Sequence, residues 1–164
     1  MPPRLPLIVI AVGVLGLLVV FGLSTKPKEG EARPAPALAT QTLQPPTVAV
    51  GSLRGHPVLV NFWASWCHPC QKEAPELERF AREGGGVRLV GVDTGDNARD
   101  ARTFIHRYGW NFPVLRDFDN SVGDHYGIAG LPTTFALDAR GRIVAKLTGP
   151  QTRASLDHAL NEAR

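Results

Sequence analysis

The chain has two cysteines, Cys67 and Cys70, with two residues between them. A bond across that separation closes a loop too short to staple distant parts of a fold, so their use is chemical rather than structural. The thiolate is the form that attacks a disulfide, and it is favoured where free backbone amides and an aligned helix dipole face the sulfur. The segment Trp63-Ala-Ser-Trp-Cys-His-Pro-Cys70 follows a short apolar run and opens a helical pattern, which puts Cys67 at a helix amino terminus. Cys67 is the expected nucleophile. Cys70, one turn further along, is expected to face the body of the protein and to resolve a mixed disulfide. Half of a zinc site has the same spacing, but zinc needs two more ligands, and the sequence holds neither a second cysteine pair nor a His-x-His cluster.

Other residues around the pair bear on its reactivity. Glu73 lies three residues after Cys70 and shares a helix face with Leu77 and Phe80, so it is expected to point inward beneath the cysteines. A partly buried carboxylate has a raised pKa and can take the proton of Cys70 near neutral pH; the alternative is a solvated helix acid. His68 follows the nucleophile, where a partly positive imidazole would favour the thiolate and make the disulfide more oxidising, unless the ring points to solvent. Pro69 completes the dipeptide between the sulfurs. Trp66 and Trp63 flank the site and are expected to shield it, although Trp63 equally suits a core position.

These residues need a frame. Val58–Phe62 is brief, apolar and rich in β-branched residues, as in a strand buried on both faces. Residues 87–93 repeat that character. The helical pattern between them, residues 69–83, makes a right-handed strand-helix-strand crossover and hence a parallel pair. Residues 98–108 place Ala101, Phe104, Ile105 and Tyr108 on one helix face, with Asp96 or Asn97 as cap. Residues 133–137 and 142–146 form an antiparallel hairpin around the turn Asp138-Ala-Arg-Gly141, and residues 152–163 form a last helix with Leu156, Ala159, Leu160 and Ala163 in line. The fold class is α/β, a mixed central sheet flanked by helices.

The 164 residues suffice for one domain plus a tail or anchor. A net charge of +3, with basic and acidic residues interspersed, argues against nucleic-acid binding. Leu5–Leu23 is apolar and uncharged and long enough to cross a bilayer as one transmembrane helix. A cleavable signal peptide is the rival reading, but Ala35-Pro36-Ala37 comes late for a cleavage site. Residues 1–25 are therefore expected to be a membrane anchor. Residues 26–46, rich in proline and alanine, are expected to be an extended spacer, and residues 47–164 the folded domain.

From about Thr47 to Ala163 the sequence resembles the thioredoxin superfamily, in particular the membrane-anchored thiol-disulfide oxidoreductases of the TlpA, ResA and CcmG (DsbE) group. The resemblance rests on Trp66-Cys67-x-Pro69-Cys70, on Pro75 five residues later, and on Gly130-Leu131-Pro132-Thr133 before the hairpin. It implies a thioredoxin-like fold and a cis bond before Pro132, with Pro132 and the backbone of Leu131, together with Trp66, meeting an extended substrate. It implies a reductant of protein disulfides, apocytochrome c among them, fed by a membrane thiol transporter of the CcdA or DsbD type, with no cofactor and with the domain on the extracytoplasmic side. Where cytosolic thioredoxin has a buried aspartate, this chain has Asn61, which cannot exchange a proton; Glu73 matches the glutamate of ResA-like proteins. A fuller amino-terminal hairpin is usual in the group, whereas here only Thr47–Val50 reads as a strand. A general disulfide oxidant remains open. A Sco-type copper module shares the fold and suits soft thiolates, but spaces its cysteines by three residues. A peroxidase reading is weaker, because Ala64 stands where a threonine is needed.

Overall fold

The apolar stretch at residues 5–23 lies outside the described part of the chain, which in this computed structural model comprises residues 32–39, 41–84 and 88–164. The described residues build a seven-stranded mixed sheet in the order β1-β7-β6-β3-β4-β5-β2. Its centre is β3, Val58–Trp63, in which every side chain is buried. That accounts for its almost unbroken apolar sequence, since a strand covered on both faces has no solvent side to alternate towards. β3 runs parallel to β4, Leu89–Thr94, and β4 parallel to β5, Val114–Asp117. On its other side β3 pairs antiparallel with β6, Thr133–Leu137, which forms a hairpin with β7, Arg142–Thr148.

The helices follow the expected pattern. α1, His68–Glu83, connects β3 to β4 and buries Cys70, Glu73, Ala74, Leu77 and Phe80 along one face. Pro75 sits inside it, where it cannot donate to the carbonyl one turn back. α2, Ala98–Tyr108, is capped by Asn97, whose side chain accepts from the Asp100 amide at 2.9 Å, and ends at Gly109 in the left-handed region. α3, Ser121–Tyr126, precedes the hairpin, and α4, Arg153–Glu162, is capped by Thr152. One apolar cluster joins α1, α2 and α4 to one sheet face through Leu59, Trp63, Leu77, Phe104 and Leu156. A second lies on the opposite face around Phe62, Tyr126 and Phe135. The short elements β5 and α3 carried no periodic signal and were not among the expected ones.

The amino-terminal part of the fold departs from expectation. Thr47–Val50 is not a strand, and Val50–Leu53 is a turn of 3-10 helix. Part of the presumed spacer is instead built into the sheet: β1, Arg33–Pro34, pairs with β7, and β2, Gln41–Gln44, pairs with β5 at the opposite edge. Between them Leu38 is buried in the second apolar cluster, flanked by Ala35 and Ala39. The reason is local. An extended Pro/Ala segment has the backbone geometry of an edge strand, where a proline without an amide is tolerated, and its small side chains let it lie flat on a sheet face. Side-chain bonds fasten both ends: the Tyr126 hydroxyl donates to the Pro36 carbonyl at 3.0 Å and Arg33 Nη2 to the Tyr126 carbonyl at 3.3 Å, while Arg102 Nη1 donates to the Leu43 carbonyl at 2.7 Å and Gln44 Nε2 to the Trp110 carbonyl at 2.7 Å.

Candidate active site

The carboxyl end of β3 and the start of α1 bring the expected residues together. Cys67 is the N-cap of α1, and its sulfur accepts from the Cys70 amide at 3.2 Å. Cys67 and Cys70 are joined as a disulfide, and both are nearly buried, at 5% and 1% exposure. His68 and Pro69, the first two helical residues, are exposed. Pro69 fits there because an amide in the first turn has no intrahelical acceptor. Trp66 is 61% exposed, and its indole donates to the Gly95 carbonyl at 3.3 Å, which lays the ring towards the end of β4. Trp63 is instead wholly core, packed against a tilted Phe104 ring at 4.5 Å and edge-to-face with Trp110 at 4.8 Å.

Glu73 lies one turn behind Cys70 with only 1% of its surface exposed. Asn61 on β3 donates from Nδ2 to Glu73 Oε1 at 2.8 Å and to Thr134 Oγ1 at 3.0 Å, and the Gln151 amide donates to Glu73 Oε2 at 2.9 Å. Burial pushes the carboxyl up to about 7, against the partial opposition of the Gln151 and Asn61 hydrogen bonds. Asn61 is therefore no proton carrier but the donor that orients one. Sequence reading placed Glu73 beneath the cysteines without identifying Gln151, whose backbone amide has no residue-type signal.

Leu131–Pro132 is a cis peptide, as the resemblance implied, and Pro132 is buried while Leu131 is half-buried. The loop is tied to its surroundings by Thr133 Oγ1, which donates to the Gly130 carbonyl at 2.7 Å, and by the Gly149 amide, which donates to the Pro132 carbonyl at 3.0 Å. A group that the sequence left unassigned lies on the other side of the cysteines. The Ser65 amide, two residues before Cys67, donates to Asp96 Oδ2 at 2.7 Å, and Asp93 is buried nearby on β4. Asp96 had been considered only as a helix cap. The signal that could have found the pair is two acids three residues apart at the end of an apolar strand.

A mixed sheet with a Cys-x-x-Cys pair at the amino terminus of the first helix, a cis proline before the hairpin and a buried acid behind the pair defines a thioredoxin-like thiol-disulfide oxidoreductase. The chain belongs to the AhpC/TSA family, whose model matches residues 32–146. It is 33% identical, over 80% of its length and 74% of the relative's, to the thiol-disulfide oxidoreductase ResA of Bacillus subtilis (strain 168). It is 39% identical, over 83% of its length and 78% of the relative's, to the thiol:disulfide interchange protein DsbE of Allochromatium vinosum. Among solved structures, a thiol:disulfide interchange protein of the thioredoxin family from Chlorobium tepidum TLS superposes with a TM-score of 0.71 at 26% identity, covering 81% of this chain and 97% of that one. The chain is thus a thiol-disulfide oxidoreductase of ResA/DsbE type working through Cys67 and Cys70.

Proposed function

We propose that this protein reduces disulfides in other proteins on the extracytoplasmic side of a membrane, held there by Leu5–Leu23 as an uncleaved anchor. The observation that carries the exchange chemistry is Glu73, a buried acid one turn behind Cys70 whose pKa is raised to about 7, which matches the task of taking a thiol proton near neutral pH; the reducing direction is taken from the resemblance to ResA. In the cycle, the Cys67 thiolate attacks a substrate disulfide, forming one sulfur–sulfur bond and expelling one substrate thiolate. Cys70 gives its proton to Glu73 and attacks Cys67, releasing the second substrate sulfur and leaving the Cys67–Cys70 bond. Two electrons have passed to the substrate, and they must be returned by a dithiol donor. A membrane thiol transporter of the CcdA or DsbD type suits a donor for an anchored domain, and apocytochrome c suits the substrate, by resemblance to the ResA and DsbE relatives. By the same resemblance, Pro132, the backbone of Leu131 and Trp66 are assigned as the contact surface for the substrate chain.

The test is insulin-disulfide reduction by the reduced protein, with measurement of the reduction potential. A reductant is expected to have a potential near that of thioredoxin, about −270 mV. A value near that of strong oxidases, about −120 mV, would make the protein an oxidant instead, and the exposed His68 beside the nucleophile is the feature that would account for it. Cys70→Ser is expected to accumulate mixed disulfides that disperse on adding a strong thiol, whereas Cys67→Ser should form none; diagonal electrophoresis distinguishes the two.

A further inference from the structure

Asp93 has no part in the cycle above, yet it is wholly buried at the carboxyl end of β4, and neither carboxyl oxygen has a hydrogen-bond donor among the described residues. An ionised carboxylate in that position is costly, and such a group keeps its proton unless a cation or donors compensate. Its neighbours explain why compensation is incomplete. In register, Asp93 stands between Trp63 on β3 and Arg116 on β5. Arg116 is the nearby cation, but its Nη2 donates to the Asp96 carbonyl at 2.9 Å and its Nη1 to Gln41 Oε1 at 3.2 Å, while Nε is buried without a partner. Asp117, also on β5, adds negative charge, although its oxygens accept from the Val122 and Gly123 amides of α3. Glu73, a further buried acid near the disulfide, is engaged by Asn61 and Gln151. Of the charges acting on Asp93, that of Asp96, three residues on, is the largest, and a proton on Asp93 is favoured by a hydrogen bond to it.

Asp96 is otherwise well supplied with donors: the Asn97 amide donates to its Oδ1 at 2.9 Å and the Ser65 amide to its Oδ2 at 2.7 Å. Those bonds suit the ionised form, so the proton belongs on Asp93 and points at Asp96. We propose that Asp93 and Asp96 share one proton, and that this acid–carboxylate pair is the positioning element for the Ser65–Trp66 turn that delivers Cys67. The turn is held at several points. Ser65 donates to Asp96, its carbonyl accepts from Gln71 Nε2 at 2.9 Å, and Trp66 bonds to Gly95, the residue before Asp96. Ionising Asp93 sets two carboxylates against each other in a buried place and pushes against the anchor of that turn. Desolvation, reinforced by the Asp96 charge, raises Asp93 to about 8 despite Arg116, so Asp93 holds its proton at neutral pH. The effect on thiol reactivity rests on the function proposed above; the shared proton does not.

The first test uses the unaltered full chain with carbon-13-labelled aspartate carboxyls. The expected result is one carboxyl resonance that stays at its protonated shift through neutral pH and titrates around pH 8, with a second resonance responding over the same range. If every aspartate carboxyl is already ionised at about pH 6, the shared proton is overturned. The second test measures alkylation of Cys67 in the reduced protein. Asp93→Asn keeps a donor towards Asp96 without titrating, and should alkylate at the wild-type rate near pH 7 while losing the break near pH 8. Asp93→Leu removes the donor and should slow alkylation severalfold. Equal rates in wild type and Asp93→Leu across the range would overturn the positioning role. Wild-type insulin reduction tests the functional reading separately, and its failure would leave the resonance assay unaffected.

Discussion

At the residue scale, burial of Glu73 does two things at once: it raises the affinity of the carboxyl for a proton, and it makes the charged form a burden on the fold. The unfolded chain loses this proton at its ordinary value, 4.5, while the folded chain holds it to about 7. Between those values the native state binds more protons than the unfolded state, so stability falls as pH rises through the window and is lowest above it. Glu73→Gln removes that fall while keeping the volume: its one oxygen accepts from the Gln151 amide, and its NH2 group donates to Asn61 once that amide turns to present Oδ1, which has no partner among the described residues. Denaturant titrations across the window should therefore show a flatter pH profile in the variant, with higher stability than wild type on the alkaline side. The same substitution should slow resolution of the mixed disulfide by about 100-fold near neutral pH, the usual lower worth of a positioned proton acceptor, and remove the kinetic break near 7. Stopped-flow measurement of the second thiol released checks this. A slowed rate with the wild-type pH profile retained would mean that another group takes the proton.

At the element scale, the site depends on how closely α1 lies on β3 and β4. Trp110 donates from its indole to the Ala74 carbonyl at 3.0 Å, tying the segment after α2 to the middle of α1. Beneath that contact Gly91 on β4 leaves no room: a β-carbon there would meet Trp63 Nε1 at 3.1 Å, Val114 Cγ2 at 3.3 Å and Phe112 at 3.4 Å. The backbone there is ordinary strand, so the glycine answers to packing rather than to conformation. Gly91→Ala is expected to cost about 1 to 3 kcal/mol through overpacking. Chemical denaturation should show a lower midpoint with unchanged slope, together with altered tryptophan emission, because the added β-carbon presses on Trp63, against which Trp110 packs at 4.8 Å. These elements were legible in the sequence for a physical reason. β3, α1, α2 and α4 bury long apolar faces, and burial leaves a periodic imprint; Asn97, Thr152 and Gly109 then mark their ends. β5 and α3 are short and follow no period. The positions of Cys67, Cys70 and Glu73 were legible because they ride on α1. Asp93 was not, because an acid at a strand end reads as the start of a loop, and its burial depends on neighbours from β3 and β5.

At the scale of the whole molecule, the segment between Ala32 and Pro46 acts as a strap that closes both edges of the sheet. Unpaired strand edges invite pairing with other chains, and here β7 and β5 are each covered by a short piece of the same segment. The strap was opaque to sequence reading because its bonds are largely made by backbone groups, which every residue type possesses, and because its proline and alanine content is equally that of a free linker. It contributes a leucine to each apolar cluster, Leu43 to the one under α1 and Leu38 to the one on the opposite face, where it joins Val60, Phe62 and Tyr126. That cluster shares the sheet with the active site but lies on the other face from Glu73. Leu38→Ala should therefore separate stability from chemistry. Removing most of a nearly buried leucine costs about 2 kcal/mol, the lower end for such truncations, because a rim position lets neighbours and water partly fill the space. The denaturation midpoint should fall accordingly while the rate of insulin reduction at neutral pH stays at the wild-type value. If the midpoint is unmoved, Leu38 contributes no core energy and residues 35–39 merely rest on the sheet. If stability and rate fall together, the two faces are coupled through β3, and the strap belongs to the machinery that holds Cys67 in place.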